Sequence, residues 1–321
     1  MQEEIAELFE GYQGRVLLNE AMAPYTTLKI GGKAKAFVLP ESVEEVASCV
    51  KRMGEDRCPI FVLGAGSNLL VLDGGIDAVV FHLHDLNQAT LTGDTTFYAE
   101  AGLAFPRLSM MVEKLGLSGL EFAAGIPGTV GGAVAMNAGI PSEETASVLK
   151  SVTIVGTDGN ISTLPREAIP FSYRNAGLPQ GAIIVAAEFR LKKAKLHDIE
   201  KKRFDLLKRR RETQPLSYPN AGSIFKNPTG SSAGATCSSG GTTSAGATCS
   251  AGNLIEDVGL KGTQIGGAQI SERHGNFIIN LGNATAEDVL ALIKLAQERV
   301  LIEKGIALEP EIKIVGRPRC L

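Results

Sequence analysis

The sequence predicts an α+β protein of more than one domain, and three observations carry that expectation. Segments 36–39, 42–52 and 59–63 read in turn as strand, helix and strand, a small α/β unit. Further short strands and amphipathic helices run along all 321 residues, a length that accommodates two or three domains. Hydrophobic residues make up 44% and charged residues 21%, the balance of a globular chain with a sizeable core.

Residues 1–20 read as one amphipathic helix with a turn at 11–14. Ala23-Pro24-Tyr25-Thr26-Thr27-Leu28-Lys29-Ile30-Gly31-Gly32 follows; it is either a plain hairpin turn or a ligand contact, and the turn is the simpler reading. Ala36 to Leu39 is a strand. Ser42 and Glu45 stand at capping-box spacing, so a helix runs from there to about Arg52. Pro59 to Leu63 is a short buried strand. Gly64-Ala65-Gly66-Ser67-Asn68 comes directly after it, and small residues there expose successive backbone N–H groups, an anion-binding nest. A Walker loop would end in Gly-Lys-Ser/Thr, and a dinucleotide fingerprint would have glycine or alanine where Leu69 stands. Asp73-Gly74-Gly75 also turns the chain where either motif would start a helix. The loop therefore suits a diphosphate held by neutral backbone.

Ile76 to Leu83 and Thr95 to Glu100 read as strands. Pro106 suits a helix start, and Leu108, Met111, Val112 and Leu115 then share one face. A second uncharged run, Gly125-Ile126-Pro127-Gly128-Thr129-Val130-Gly131-Gly132-Ala133-Val134-Ala135-Met136-Asn137-Ala138-Gly139, lets backbone approach another body closely. That body is either a helix or a ligand; Pro127 and Asn137 suit turns and favour the ligand. Val152 to Val155 and Ile183 to Arg190 are strands. His197 to Arg211 is a helix with a basic surface, read as a solvated face, with attraction of an anionic ligand as the alternative. Pro219 to Pro228 is a rigid polar loop, either a structural corner or a ligand contact. Residues 229–251 repeat Ser-Ala-Gly-Ala-Thr-Cys-Ser and have no apolar anchor, so they read as an inserted mobile surface loop. Gly266 to Ile270 and Asn276 to Asn280 are strands. Thr285 starts a helix whose Val289, Leu292, Ile293, Ala296 and Val300 share a face, and Glu311 to Val315 is a last, half-buried strand.

No apolar run reaches the roughly 20 residues of a membrane span, and the acidic N-terminus lacks the plan of a signal peptide. The net charge of −3 gives no general attraction to nucleic acid. Cysteines 49, 58, 237, 249 and 320 contain no Cys-x-x-Cys pair and histidine is scarce, which argues against a metal site. An odd cysteine count fits a reducing, cytoplasmic setting.

Four segments taken together, in this order and spacing, resemble the UDP-N-acetylenolpyruvoylglucosamine reductase (MurB) family of flavoenzymes. They are Thr26 to Gly32, Gly64 to Leu70, Gly125 to Gly132 and Asn220 to Pro228, within a resemblance running from about Tyr25 to Gly316. It implies a PCMH/VAO-type FAD-binding domain of two α/β subdomains over 21–195, after the N-terminal helix at 1–20. A C-terminal α/β substrate domain would cover 196–321. Non-covalent FAD would be held by Gly64, Ala65, Gly66, Ser67 and Asn68 and by Gly125, Ile126, Pro127, Gly128, Thr129, Gly131 and Gly132. NADPH would be the hydride donor and a UDP-sugar enolpyruvyl ether the substrate. The family's catalytic arginine, serine and glutamate fall on Arg174, Ser223 and Glu311, with Glu309 as the alternative glutamate. Arg211, Lys226, Asn227 and His274 become expected substrate contacts. No tyrosine occurs between Tyr173 and Tyr218, so the chain resembles the family branch without a tyrosine-bearing loop over the UDP. The expected state is a cytoplasmic monomer without membrane or nucleic-acid partners. Two other readings stand beside it: an oxidase on the same flavin-binding fold, and a sugar-nucleotide binding protein without turnover.

Overall fold

The computed structural model describes residues 9, 12, 14–55, 59–228 and 250–318. The chain divides into two units, each with its own core. The first comprises residues 1–20, 34–65 and 77–210. In it, strands Arg15–Leu18, Ala34–Leu39, Ile76–His82 and Ile60–Leu63 form one sheet in that spatial order. The Val43–Glu55 helix connects two of them. Ser42 Oγ accepts the Glu45 N–H at 3.1 Å, half of the expected capping box; the Glu45 carboxylate reaches back to the Glu41 N–H instead. A second, antiparallel sheet runs Ile161–Pro165, Leu149–Val155, Ile183–Arg190, Thr96–Glu100 and Ala89–Leu91. Phe37, Phe81, Phe105, Phe122 and Phe189 are fully buried in this unit. Residues with aromatic or branched side chains recur on the inner faces, which is why short strands suffice to bury a common core.

The second unit comprises residues 21–33, 66–76 and 211–321. Strands Gln264–Ile265, Ala268–Ile270 and Ile278–Asn280 form an antiparallel sheet, and the Ala251–Asp257 and Ala286–Lys304 helices join Leu28, Leu70, Phe225 and Ile312 in its core. Thr285 and Asp288 complete a capping box, and Gly305 ends the long helix at φ 68°. Val289, Leu292, Ile293, Ala296 and Val300 are all buried, as their spacing predicts. Lys313–Val315 pairs in parallel with Leu69–Val71, and the Asp73 carboxylate accepts the Ala286 N–H at 3.0 Å. These bonds place 66–76 in the second unit, so a boundary between 195 and 196 does not describe the division.

Several expectations need correction. Residues 15–18 are a strand rather than part of a helix: Arg15–Leu18 lies antiparallel to the 36–39 segment, and Asn19 turns the chain at φ 54°. The earlier residues of that predicted helix lie mostly outside the described ones. Leu115 is 51% exposed, because it caps the Phe105–Lys114 helix and Gly116 at φ 66° leads the chain away. Most of the repeat, 229–249, also lies outside the described residues, but its final two positions do not belong to a surface loop. Ser250 caps a helix by accepting the Asn253 N–H, and Ala251 is fully buried.

Candidate active site

The 219–228 loop is organised by Asn220. Its Nδ2 donates to the Tyr218 carbonyl at 2.8 Å and its Oδ1 accepts the Gly222 N–H at 3.0 Å. Thr27 Oγ1 donates to the Asn220 carbonyl at 2.7 Å, so the Thr26-Thr27 motif serves this loop as a structural clamp. Gly222 then turns at φ 76°. With the turn held by Asn220, Ser223 is not its cap; among the described residues its half-buried hydroxyl makes no hydrogen bond. The next two residues are rigid. Asn276 brackets Phe225 by donating to its carbonyl and accepting its N–H, both at 2.8 Å, and the Glu311 N–H donates to the Ile224 carbonyl at 2.7 Å. Asn68 Nδ2 donates to the Glu311 carbonyl at 3.2 Å. Ser223, Asn68 and Glu311 are thus neighbours through backbone pairing. Glu309 is also tied to this loop, its carbonyl accepting the Lys226 N–H at 2.9 Å and its carboxylate pairing with Lys226, but it is exposed, whereas Glu311 is half-buried.

Arg174 occupies the corner of a tight turn in the first unit. Ser172 and Asn175 exchange both backbone hydrogen bonds, at 2.8 and 3.1 Å, and Arg174 lies at the third position with φ 59°. That position normally takes glycine. Holding an arginine there costs about 1–3 kcal/mol. Its guanidinium lies 5.0 Å from the Tyr173 ring centre, and Nη1 is 3.5 Å from the Gly139 carbonyl.

The start of the first glycine loop meets the second within the first unit: a Cβ on Gly64 would fall 2.6 Å from Thr129 Oγ1. Their amides are not equally available. In 125–132 the N–H groups of Ile126, Val130 and Gly131 donate to the carbonyls of Ala123, Leu103 and Ala101, and that of Gly132 donates to Thr129 Oγ1. Among the described residues, the N–H groups of Gly128 and Thr129 have no acceptor in the protein, nor do those of Ala65 and Gly66. Gly131 is required by packing, since a Cβ there would lie 2.8 Å from that of Ala101. Gly128, at φ 149°, is required by conformation.

The weaker candidates divide. Asn227 Oδ1 accepts the Ala251 N–H at 3.1 Å, a role in starting a helix. His274 accepts the Asn276 N–H through Nδ1 and packs edge-on to Phe277; burial, and then nearby Lys261, pushes its pKa below the ordinary value. Arg211 is exposed, whereas its neighbour Arg210 is half-buried with its Cδ near Gly125. The basic helix, now Leu196–Thr213, is not simply solvated. Lys202 pairs with Glu143 and Glu121, and Arg203 with Glu113. The sequence marked Asn137 and Asn220 only as turn and loop residues and Asn276 only as the first residue of a strand, because short amides bonded to backbone leave no periodic trace.

Comparisons with known proteins cover nearly the whole chain. A family model described as the C-terminal domain of UDP-N-acetylenolpyruvoylglucosamine reductase matches residues 214–315, and one described as an FAD binding domain matches 34–165. A UDP-N-acetylenolpyruvoylglucosamine reductase of Anoxybacillus flavithermus is 42% identical over 97% of this chain and 98% of its own. One from Syntrophomonas wolfei is 41% identical over 94% and 95%. The crystal structure of the corresponding reductase from Thermus caldophilus aligns with a TM-score of 0.77 and 36% identity, covering 95% of this chain and 99% of that one. Both glycine loops lie inside the FAD-domain match. The donor set of the first unit fits that cofactor: a diphosphate needs N–H donors at close backbone approach, and Ala65, Gly128 and Thr129 supply three without a side-chain charge.

Proposed function

The chain belongs to the UDP-N-acetylenolpyruvoylglucosamine reductase family, and from that membership we propose how its residues divide the work. The enzyme is a UDP-N-acetylmuramate dehydrogenase of peptidoglycan synthesis, reducing the enolpyruvyl group of its UDP-sugar substrate to the lactyl ether. When bound, FAD supplies the hydride transfer, accepting from NADPH and delivering to the carbon–carbon double bond. The amides of the 64–68 and 125–132 loops hold the FAD diphosphate. Arg174 pairs with the substrate carboxylate, where negative charge builds as hydride adds to the far alkene carbon. Ser223 gives its hydroxyl proton to the carbon beside that carboxylate, and Glu311 orients or resupplies it. A serine hydroxyl is a weak acid and serves here because the receiving carbon is strongly basic. Lys226, Arg211 and His274 remain candidates for the remainder of the substrate. No helix among the described residues is long and apolar enough to cross a membrane. We read the enzyme as cytoplasmic and monomeric, of the branch without a tyrosine-bearing loop, on the tyrosine-free stretch between Tyr173 and Tyr218.

The observation that carries this reading is the Ser223 hydroxyl itself. It stands half-buried on a loop fixed by Asn220 and Asn276, yet takes no part in fixing it. Stopped-flow measurement of the two half-reactions in Ser223→Ala tests it. NADPH should reduce the flavin at the normal rate, and reoxidation by the enolpyruvyl substrate should slow by roughly 10²–10⁴-fold, the range for loss of a general acid. Reoxidation near the wild-type rate would pass the proton-donor role to Glu311 or a bound water.

A further inference from the structure

Asn137 closes the second glycine run, and its side chain joins three segments of the first unit. It lies at φ 42° with 2% exposure, directly after the Val130–Ala135 helix that begins in the glycine loop. Its own N–H donates to the Val134 carbonyl at 3.0 Å, so the backbone is tied to that helix. Oδ1 accepts the Ala146 N–H at 3.0 Å, and Nδ2 donates to the Ser172 carbonyl at 3.2 Å. Ser172 is the residue whose pairing with Asn175 makes the tight turn carrying Arg174. Two further bonds repeat the connection: Ala176 N–H to Ala135 carbonyl at 3.1 Å, and Arg174 Nη1 to the carbonyl of Gly139, two residues beyond Asn137.

We propose that Asn137 is a positioning residue for Arg174, fixing the arginine turn to the end of the cofactor-binding glycine run. The case rests on the reading of Arg174 as the group that stabilises the reacting carboxylate. Three properties are demanded at this position, and asparagine meets all of them. The left-handed backbone disfavours most residues but tolerates asparagine. The buried Ala146 N–H needs an acceptor, and the Ser172 carbonyl, which already takes the Asn175 N–H, has room for a second donor; a carboxamide supplies both together. A strained residue such as Arg174 holds its conformation only where its surroundings over-determine it, and the Ser172 carbonyl is the point at which Asn137 grips that turn.

The charge of the arginine is thereby registered to the same segment that carries the flavin loop. Misplacing a charge by about 1 Å can cost on the order of 10²-fold in rate. The informative variant is Asn137→Asp, which keeps the backbone preference and the acceptor for Ala146 but cannot donate to Ser172 when ionised. Asn137→Gly is the second variant, keeping the φ angle while removing both bonds.

Purified flavin-loaded Asn137→Asp and Asn137→Gly should retain wild-type FAD absorbance and NADPH half-reaction rate. Reoxidation by substrate should slow about 10–100-fold. Hydrogen exchange should quicken at Ser172 and Asn175, whose N–H groups close the turn. In an Arg174→Ala background the same Asn137 substitutions should slow reoxidation no further, since their effect passes through the arginine. Equal slowing with and without Arg174 would reduce Asn137 to a general structural residue and overturn the proposal. So would unchanged exchange at the turn, wild-type reoxidation, or failure of both variants to give folded flavoprotein. Failure of the reading beneath it would show separately, as near-normal turnover in Arg174→Ala alone.

Discussion

At the scale of single residues, the backbone separates chemistry from scaffolding better than side-chain identity does. Arginine at φ 59° in a glycine position is a cost to folding that a purely structural turn would have no reason to bear. Arg174→Gly should therefore raise stability by up to about 1 kcal/mol, a higher denaturant midpoint at unchanged slope, while reoxidation by substrate collapses. Arg174→Lys should restore only part of the rate, since a point charge does not replace a planar fork. A glycine variant that turns over normally would remove Arg174 from the mechanism. Little of this was legible in Phe171-Ser172-Tyr173-Arg174-Asn175. The segment has no periodicity, and φ is not written in residue names, so only the resemblance to a family singled Arg174 out. Ser223 was more accessible to inspection, because Asn220, Gly222 and the flanking prolines declare a fixed polar loop. The partition of labour inside that loop, with Asn220 holding the turn and Ser223 spared, needed coordinates.

At the scale of elements, the glycine loops show how a reading from residue types can miss part of the reason for them. The sequence assigns 125–132 to close approach of a ligand, yet most of its amides are already bonded within the protein. Gly131 admits Ala101: its N–H donates to the Ala101 carbonyl at 2.8 Å, and the two residues touch. Gly131→Val should overpack this contact at a cost of about 1–3 kcal/mol. Its melting temperature and its FAD content should consequently fall together. A Gly131→Val protein that melts like the wild type but cannot hold FAD would return the glycine to the ligand. The long elements were the most legible, because period and caps agree: Thr285 and Gly305 bracket a helix whose apolar spacing matches its burial. The least legible was Arg15–Leu18, four residues whose strand character comes from a partner some twenty residues away.

At the scale of the whole molecule, the division into two units was hidden because it is not sequential. Residues 66–76 leave the first unit's chain order to pair with Lys313–Val315, a parallel contact across more than two hundred positions that no local pattern encodes. The basic helix shows the same limitation. Its charges look like a solvated face until Glu113, Glu121 and Glu143 are found beneath them. Net charge and composition likewise said nothing about acid stability, which depends on where single groups are buried. His82 ends the Ile76–His82 strand, with its ring stacked on that of His84 at 5.6 Å. Burial, and then the neighbouring His84, pushes its pKa down to about 4, against partial opposition from Asp85 and a hydrogen bond to the Gly64 backbone. In the unfolded chain it titrates near its ordinary 6.5. The unfolded state therefore binds more protons between these values, and folding stability falls as the pH drops through that window. At pH 5 the loss from this one group should reach about 1–2 kcal/mol relative to pH 7.5. His82→Phe keeps a ring against Phe37 and His84 but has nothing to titrate. Denaturant unfolding of wild type and variant at both pH values checks the expectation. The variant should lose less stability on acidification by that amount, whatever its absolute stability. Equal losses in the two proteins would mean that His82 titrates alike in the folded and unfolded chains, and that acid sensitivity originates elsewhere.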